Sequence, residues 1–318
     1  MEEVKVSIIV PVYKAENSIA RCIEAILGQT YHNIELLLVE DGSPDNSGSI
    51  CDNYASDPRV KVIHNTNHGV SYTRNTGLEH ATGEYITFCD SDDYYAPNHV
   101  KKNISVALKQ DSDITISGYY IEQRGNFVSS VHMSSGPLSK EEVVKHFTVD
   151  DEFGGFCWNK LYKREVLLGI KFPEDLTLLE DTYFLCSAME HAKKMYYLAE
   201  PLYYYCDNQS SATRSIDSLY SDHDTVKYLD SYRKILSDHR LSQHSVDIIQ
   251  GVMFEIAVDF RRFEYQGRHH GGPILIKNLE ADIKRFRKCY YYCNEFSMKR
   301  KVKWSVKLFV PKLGLQRK

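Results

Sequence analysis

The sequence predicts an α/β fold: a mostly parallel sheet flanked by helices, with a helical extension at the C-terminal side. Three observations predict it. Four short β-branched runs alternate with three amphipathic helical segments within about the first 90 residues, the pattern of a parallel sheet with crossover helices. The chemically unusual residues stand directly after those runs, where such sheets bind ligands. From residue 218 to about 296 the apolar spacing is helical throughout.

The elements follow in order. Residues 4–10 read as a buried parallel strand stopped by Pro11. Asn17 or Ser18 can cap a helix with Ile19, Cys22, Ile23, Ile26 and Leu27 on one face. A second strand over 34–39 ends at Glu40, Asp41, Gly42 and Ser43. A helix over about 47–54, a strand over 60–64, a Ser71-capped helix to His80 and a strand over 85–89 come next. A helix then runs from Pro97 to about Lys109, and a strand spans 114–121. Residues 122–137 read as a loop or weak hairpin, and two helical segments flank 153–160. Glu180 and Asp181 open a helix to about His191, and 195–205 is extended, interrupted by Pro201. Farther on, Ile249, Val252, Met253, Ile256, Phe260 and Phe263 keep helical spacing, and Gly271, Gly272 and Pro273 separate two helices. The expected domains are 1–215, a catalytic sheet domain; 216–296, a helical extension; and 297–318, a basic amphipathic tail.

Bulk properties narrow the function. Hydrophobic residues make up 42% of 318, enough for a sizeable core and too many for a disordered chain. The eight cysteines include no Cys-x-x-Cys pair, so neither a zinc site nor a disulfide framework is indicated, and a reducing cytosol fits. A strand begins near residue 4, leaving no room for a signal peptide, and no apolar run approaches about 18 residues, so no membrane span is expected. A cytoplasmic location follows, peripheral on the inner face of the cell membrane if the tail binds there. The net charge of −4 hides an asymmetry: residues 297–318 carry eight basic residues and no acid. An acidic body argues against nucleic acid as a partner. The tail interleaves Val302, Trp304, Val306, Leu308, Phe309 and Val310 with lysines, which suits either an anionic membrane surface or packing on the body.

The strand over 85–89 ends in Asp90, Asp92 and Asp93. Carboxylates crowded at a strand tip repel one another and call for a cation; an all-oxygen set suits Mg²⁺ or Mn²⁺ shared with a substrate phosphate.

Five motifs then stand in order: Val-Ser-Ile-Ile-Val-Pro-Val-Tyr over 6–13, Val-Glu-Asp-Gly-Ser over 39–43, Gly-Val-Ser-Tyr-Thr-Arg-Asn-Thr-Gly over 69–77, Gly-Glu-Tyr-Ile-Thr-Phe-Cys-Asp-Ser-Asp-Asp over 83–93, and Glu180-Asp181. Together they resemble a family 2 glycosyltransferase of the GT-A fold, the bacterial surface-polysaccharide type, over roughly residues 4–215. The resemblance implies a Rossmann-like sheet and an inverting enzyme using a nucleotide-sugar donor. It places Pro11, Tyr13 and Asp41 around the base, Glu16 near the ribose and Arg74 facing the nucleotide. It puts Asp90 towards the ribose or metal, Asp92 on the metal, and Asp181 as the catalytic base with Glu180 beside it. Without the upstream motifs, Glu180 and Asp181 would read as helix N-terminal charge, and Asp93 as a hydrogen-bonded neighbour or cap. Trp158 is either an apolar platform for the sugar or acceptor or a core residue. Asn208, Ser210, Ser211, Thr213 and Arg214 suit a loop that closes over the diphosphate.

Two departures qualify the resemblance. Processive synthases of the family carry Gln-x-x-Arg-Trp and membrane spans; this chain has neither, which favours single-sugar transfer. Lys14 and Glu40 replace the Asn and Asp of many relatives, which bears on donor preference. The expected activity is transfer of one sugar, from a UDP-sugar, to a hydroxyl of a saccharide or lipid-linked saccharide acceptor, with Mn²⁺ or Mg²⁺. The competing readings are a sugar-nucleotide pyrophosphorylase and a non-catalytic membrane-surface module of the same fold.

Overall fold

The computed structural model describes residues 4–123, 125–149, 153–206, 224–265 and 272–309. In chain order the elements are β1 (Val6–Val12), α1 (Ile19–Leu27), β2 (Ile34–Glu40), α2 (Ser47–Asn53), β3 (Val60–His64), α3 (Val70–His80), β4 (Tyr85–Phe88), β5 (Tyr94–Tyr95), α4 (His99–Gln110), β6 (Ile114–Gln123), β7 (Asn126–Ser129), β8 (Gly136–Leu138), α5 (Lys140–Thr148), β9 (Lys160–Lys163), a 3-10 turn (Arg164–Leu167), α6 (Glu180–His191), β10 (Met195–Tyr205), α7 (Asp224–Asp238), α8 (Gln243–Tyr265), α9 (Gly272–Tyr292) and α10 (Met298–Phe309). The chain divides into two compact units: Met1–Ser139 with Glu152–Asp175 and Glu180–Gln209, and Lys140–Asp151 with Leu176–Leu179 and Ser210–Lys318. Helix α5, which the sequence reading places in the sheet domain, therefore groups with the helical unit.

The first unit is built on a ten-stranded sheet in the order β3-β2-β1-β4-β9-β6-β10-β5, with β7 on β6 and β8 on β10. The β3-β2-β1-β4 part is parallel. Its inner strands β2, β1 and β4 are buried on both sides, whereas the edge strand β3 is partly exposed. Helix α1 turns Ile19, Cys22, Ile23 and Ile26 inward, each large side chain contributing about 1.5–3 kcal/mol on burial. Gly77 lets α3 approach β1: a Cβ there would sit 2.4 Å from Ile9 Cγ2.

Pro11 does not stop β1; it pairs with Val39 of β2. The reason lies in the ladder. The Cys89 amide bonds the Ile9 carbonyl on the β4 side, whereas the Asp41 amide bonds the Val12 carbonyl on the β2 side. The backbone nitrogen of Pro11 faces the same way as Ile9, where β4 has already ended at Phe88. No ladder bond is lost.

Where a helical segment is expected after residue 160, β9 forms instead, antiparallel between β4 and β6. Lys160, Leu161 and Tyr162 are buried there, so flanking strands, not local periodicity, decide the conformation. Of the two readings of 122–137, loop or weak hairpin, the hairpin forms, with β7 antiparallel to β6. Strand β10 runs parallel to β6, with register shifts around Pro201.

The second unit holds α5 and α7 to α10. Ile249, Val252, Met253 and Phe260 of α8 are buried, and Phe254 stacks on Tyr290 of α9 at 4.7 Å. Among the described residues no helix is long and apolar enough to cross a membrane.

Candidate active site

Three strand ends meet at the carboxyl edge of the parallel sheet. After β1 the chain turns sharply, with Lys14 at φ 52°. The turn is tied to the loop after β2: the Lys14 amide donates to Ser43 Oγ at 3.1 Å, the Ala15 amide to Ser47 Oγ at 2.8 Å and the Glu16 amide to Asp45 Oδ2 at 3.4 Å. Glu16 in turn accepts from the amide and side-chain nitrogen of Asn46 at 3.2 and 3.0 Å. Tyr13 is left 42% exposed beside this cross-braced turn, while Pro11 is buried beneath it.

Asp41 is only 3% exposed. Its two carboxylate oxygens accept from the backbone amides of His68 and Gly69, at 2.9 and 2.8 Å. It therefore shapes the loop that enters α3, where Gly69 takes φ 92°, a conformation that favours glycine. Ser71 does not cap α3; that position belongs to Gly69, and the buried Ser71 hydroxyl has no partner.

Arg74 is the hub of the site. It is 4% exposed and points three ways: Nη1 donates to Asp181 Oδ1 at 2.6 Å and to Glu180 Oε1 at 3.1 Å, and Nη2 to Asp90 Oδ1 at 3.1 Å. The planar fork of the guanidinium lets one buried side chain reach all three carboxylates. Burial alone would lower the pKa of Arg74, but Asp181, Asp90 and Glu180 raise it well above its ordinary value. The basic residue expected to face a nucleotide thus faces the protein's own acids.

The carboxylates respond in kind. Burial is the largest influence on Asp90; Arg74 opposes it, Asp181 and Asp92 reinforce it, and the carboxyl is pushed up to about 6. Burial also raises Asp181, with Arg74 opposing and Glu180 reinforcing. Asp181 lies in the first turn of α6, a position that favours the ionised form; desolvation outweighs that preference. Its second oxygen accepts from the Cys157 amide at 3.1 Å.

That amide belongs to a loop held by Lys160, a buried ammonium that donates to the carbonyls of Gly154 and Phe156 at 3.1 and 2.6 Å and to Asn159 Oδ1 at 2.8 Å. The three acceptors match the three N–H donors of Lys160, and burial pulls it down to about 7 with Cys157 and Asp181 opposing. Gly155 is required for the close approach of this loop to α6, since a Cβ would meet Thr182 Oγ1 at 2.1 Å. The Cys157 amide is not legible as part of the site, because a backbone donor carries no side-chain signature.

At the acidic tip the three aspartates separate. Asp93 is 1% exposed and accepts from Tyr203 Oη at 2.7 Å and the Cys206 amide at 2.8 Å, so it is a buried hydrogen-bonded neighbour. The Tyr203 hydroxyl also accepts from the Asp90 amide at 3.1 Å. Asp92 is partly exposed, and its carbonyl accepts from Arg21 Nη2 at 2.6 Å.

Trp158 is a core residue and no platform. It is 2% exposed, stacked on Phe156 at 4.8 Å and on Tyr203 at 4.2 Å, with Tyr119 edge-on at 4.9 Å. Both ring faces are occupied, which leaves none for a sugar. The proposed closing loop, with Asn208, Ser210, Ser211, Thr213 and Arg214, lies outside the described residues.

A divalent cation fits this tip by donor chemistry. Asp90, Glu180 and Asp181 share one guanidinium, and on top of burial the neighbouring charges of Asp181 and Asp92 raise Asp90 further. Among the described residues no group of three or more His, Cys, Asp or Glu forms a complete metal cage. One or two carboxylates completed by substrate phosphates is the usual arrangement for Mg²⁺. Asp92 and Asp90 would hold the ion, which would neutralise diphosphate charge.

Comparison with known proteins agrees with this architecture. The family model for glycosyl transferase family 2 matches residues 7–169. The chain is 38% identical over 215 residues to the uncharacterized glycosyltransferase EpsJ of Bacillus subtilis, covering 65% of this chain and 62% of that one. It is 31% identical over 273 residues to the glycosyltransferase GlyG of Streptococcus pneumoniae, covering 81% and 88%. The matched segment spans less than two thirds of EpsJ. Among solved structures, TarS residues 1–349 of S. aureus in complex with UDP-GlcNAc aligns with a TM-score of 0.67 at 21% identity, covering 90% of each chain. A mannosyltransferase of Pyrobaculum calidifontis in complex with GDP-Man and Mn²⁺ aligns with a TM-score of 0.56 at 15% identity, covering 98% and 88%. With the sheet order, the strand-tip site and the family match in hand, this chain belongs to glycosyl transferase family 2.

Proposed function

We propose that the protein transfers one sugar, with inversion, from a nucleotide-sugar donor to a hydroxyl of a saccharide acceptor, free or lipid-linked, in surface-polysaccharide synthesis. The observation that carries this reading is the placement of Asp181, raised by burial and oriented by Arg74 and the Cys157 amide, in one cluster with Asp90. A general base needs a pKa drawn towards neutrality and a fixed direction. In the step, the acceptor oxygen bonds the anomeric carbon as its proton passes to Asp181. The bond from that carbon to the diphosphate oxygen breaks, and its electron pair leaves with the nucleotide.

The donor is a UDP-sugar in this reading, supported by the TarS complex; GDP-Man in the mannosyltransferase is the alternative to test against it. Pro11, Tyr13 and Asp41 build the wall for the base, Asp41 through its hold on the loop before α3, and Glu16 braces the turn near the ribose. A bound Mn²⁺ or Mg²⁺ would offset the charge that builds on the leaving diphosphate. Arg74 and Glu180 act through Asp181 and Asp90, as positioning residues.

The experiment is donor screening followed by one substitution. Among nucleotide sugars, a UDP-sugar should raise the melting temperature and undergo slow hydrolysis, both dependent on Mn²⁺ or Mg²⁺ and lost with EDTA or in Asp92→Asn. Asp181→Asn should abolish transfer while donor binding stays nearly intact. More than a few per cent of wild-type turnover in that variant overturns the base assignment. Pyrophosphate release from a nucleoside triphosphate would instead mark a pyrophosphorylase.

A further inference from the structure

The last described helix of the second unit wears its faces in reverse. On its inner side α10 buries Trp304, Leu308 and the cation Lys307, with Arg300 partly buried beside them. Arg300 Nε and Nη2 each donate to a Glu255 oxygen at 2.7 Å, and Lys307 Nζ donates to both Asp259 oxygens at 2.7 and 2.9 Å. The outer side carries Met298, Val302 and Val306, 75%, 56% and 44% exposed. At about 100° per residue, a spacing of four puts all three within an arc of about 80°. The charge-assisted bonds of the inner face fix the helix about its own axis, so the apolar stripe cannot roll inward.

The surroundings of the stripe are basic. Lys299 and Lys303 are exposed along one border. Tyr291 Oη and Ser305 Oγ, 2.6 Å apart, draw the end of α9 alongside, where Tyr292 stands 78% exposed. Beside it opens a cavity of about 830 Å³ whose walls include Arg261, Lys284, Arg287 and Lys288, with Glu280 as the acid among its lining residues.

We propose that this face seats on an anionic lipid bilayer. Met298, Val302, Val306 and Tyr292 enter the boundary between headgroups and acyl chains, and the bordering lysines and the basic cavity receive lipid phosphates. Charge selects the occupant. A second copy of the chain packed two-fold on the same stripe would set lysines against lysines, whereas an anionic bilayer meets both the apolar and the cationic parts.

The inference does not rest on the transferase reading, and its test needs no turnover. The full chain should co-sediment with phosphatidylcholine vesicles containing phosphatidylglycerol, much less with phosphatidylcholine alone, and binding should fall as salt is raised. Val302→Asp with Val306→Asp, and separately Lys299→Glu with Lys303→Glu, should each weaken binding about tenfold or more. These side chains are exposed, so circular dichroism and melting temperature should match wild type. Asp181→Asn should bind as wild type does, and inorganic phosphate at matched concentration should not compete. Absence of binding to the anionic vesicles, or binding unchanged in the double aspartate variant, overturns the proposal. So does a vesicle-free dimer that the aspartate variant abolishes, because the stripe would then belong to a second copy.

Discussion

Arg74 Nη1 lies 2.6 Å from Asp181 Oδ1, across 107 positions of sequence, and the same guanidinium holds Asp90 through Nη2. One buried cation thus couples the acidic tip after β4 to the first turn of α6. Arg74 is bound by three carboxylates of the protein itself, which makes it the frame on which the proposed base is mounted.

Replacing Arg74 tests that frame. Arg74→Lys keeps the charge but offers a single point donor in place of a fork. We expect kcat to fall about 10²-fold, the order that a displaced catalytic group costs, with donor KM changed far less. Arg74→Met should also destabilise the fold by about 3–5 kcal/mol, because buried carboxylates lose their partner. Steady-state kinetics and denaturant unfolding separate the two effects. A lysine variant with wild-type kcat would show that the bridging geometry is dispensable.

Glu35 sets an acid limit to stability. It ties β2 to β1 and to the segment before β4, accepting from Lys5 Nζ at 2.7 Å, Ser7 Oγ at 2.5 Å, the Thr82 amide at 2.5 Å and Thr82 Oγ1 at 2.7 Å. Burial pushes its carboxyl up, but these donors outweigh burial and bring it to about 2, below the usual 4.5. A carboxyl lowered on folding stabilises the native state above its unfolded pKa. That contribution is therefore complete above about 4.5 and is lost as pH falls towards about 2. Glu35→Gln should cost on the order of 1–2 kcal/mol at pH 7 after solvent screening, and the difference from wild type should close in acid. Urea unfolding at pH 7 and pH 3 checks it; an equal difference at both pH values refutes the assignment.

Trp158 decides between core and platform. With Phe156 and Tyr203 on its two faces, Trp158→Ala should cost about 3–5 kcal/mol. Trp158→Phe should retain most of the stacking and leave donor KM within about twofold. A large rise in donor KM without loss of stability would restore the sugar-contact role.

Much of this protein is legible from local pattern. The alternation of β-branched runs and amphipathic helices announces the parallel half of the sheet, because burial on both faces leaves a continuous apolar signature. Asp90, Arg74 and Asp181 stand out in sequence and meet in space. Other parts are not legible. Strand β9 is four residues long and takes its conformation from β4 and β6 on either side. Pro11 looks like a terminator, and only the place where β4 stops shows that its missing N–H costs nothing. Asp41 reads as a ligand contact, yet its oxygens are taken by the backbone of a loop 27 and 28 positions away.

By itself the sequence determined the α/β class and set carboxylates at the strand tips, since these follow from periodicity and residue type; the roles proposed for them came from the family resemblance. Only the tertiary structure decided the pairing of Arg74 with three carboxylates, the rise of Asp90 and Asp181, the burial of Trp158 and the outward apolar face of α10. Those depend on desolvation and on which distant groups share a buried space, and neither quantity is written in any local stretch of residues.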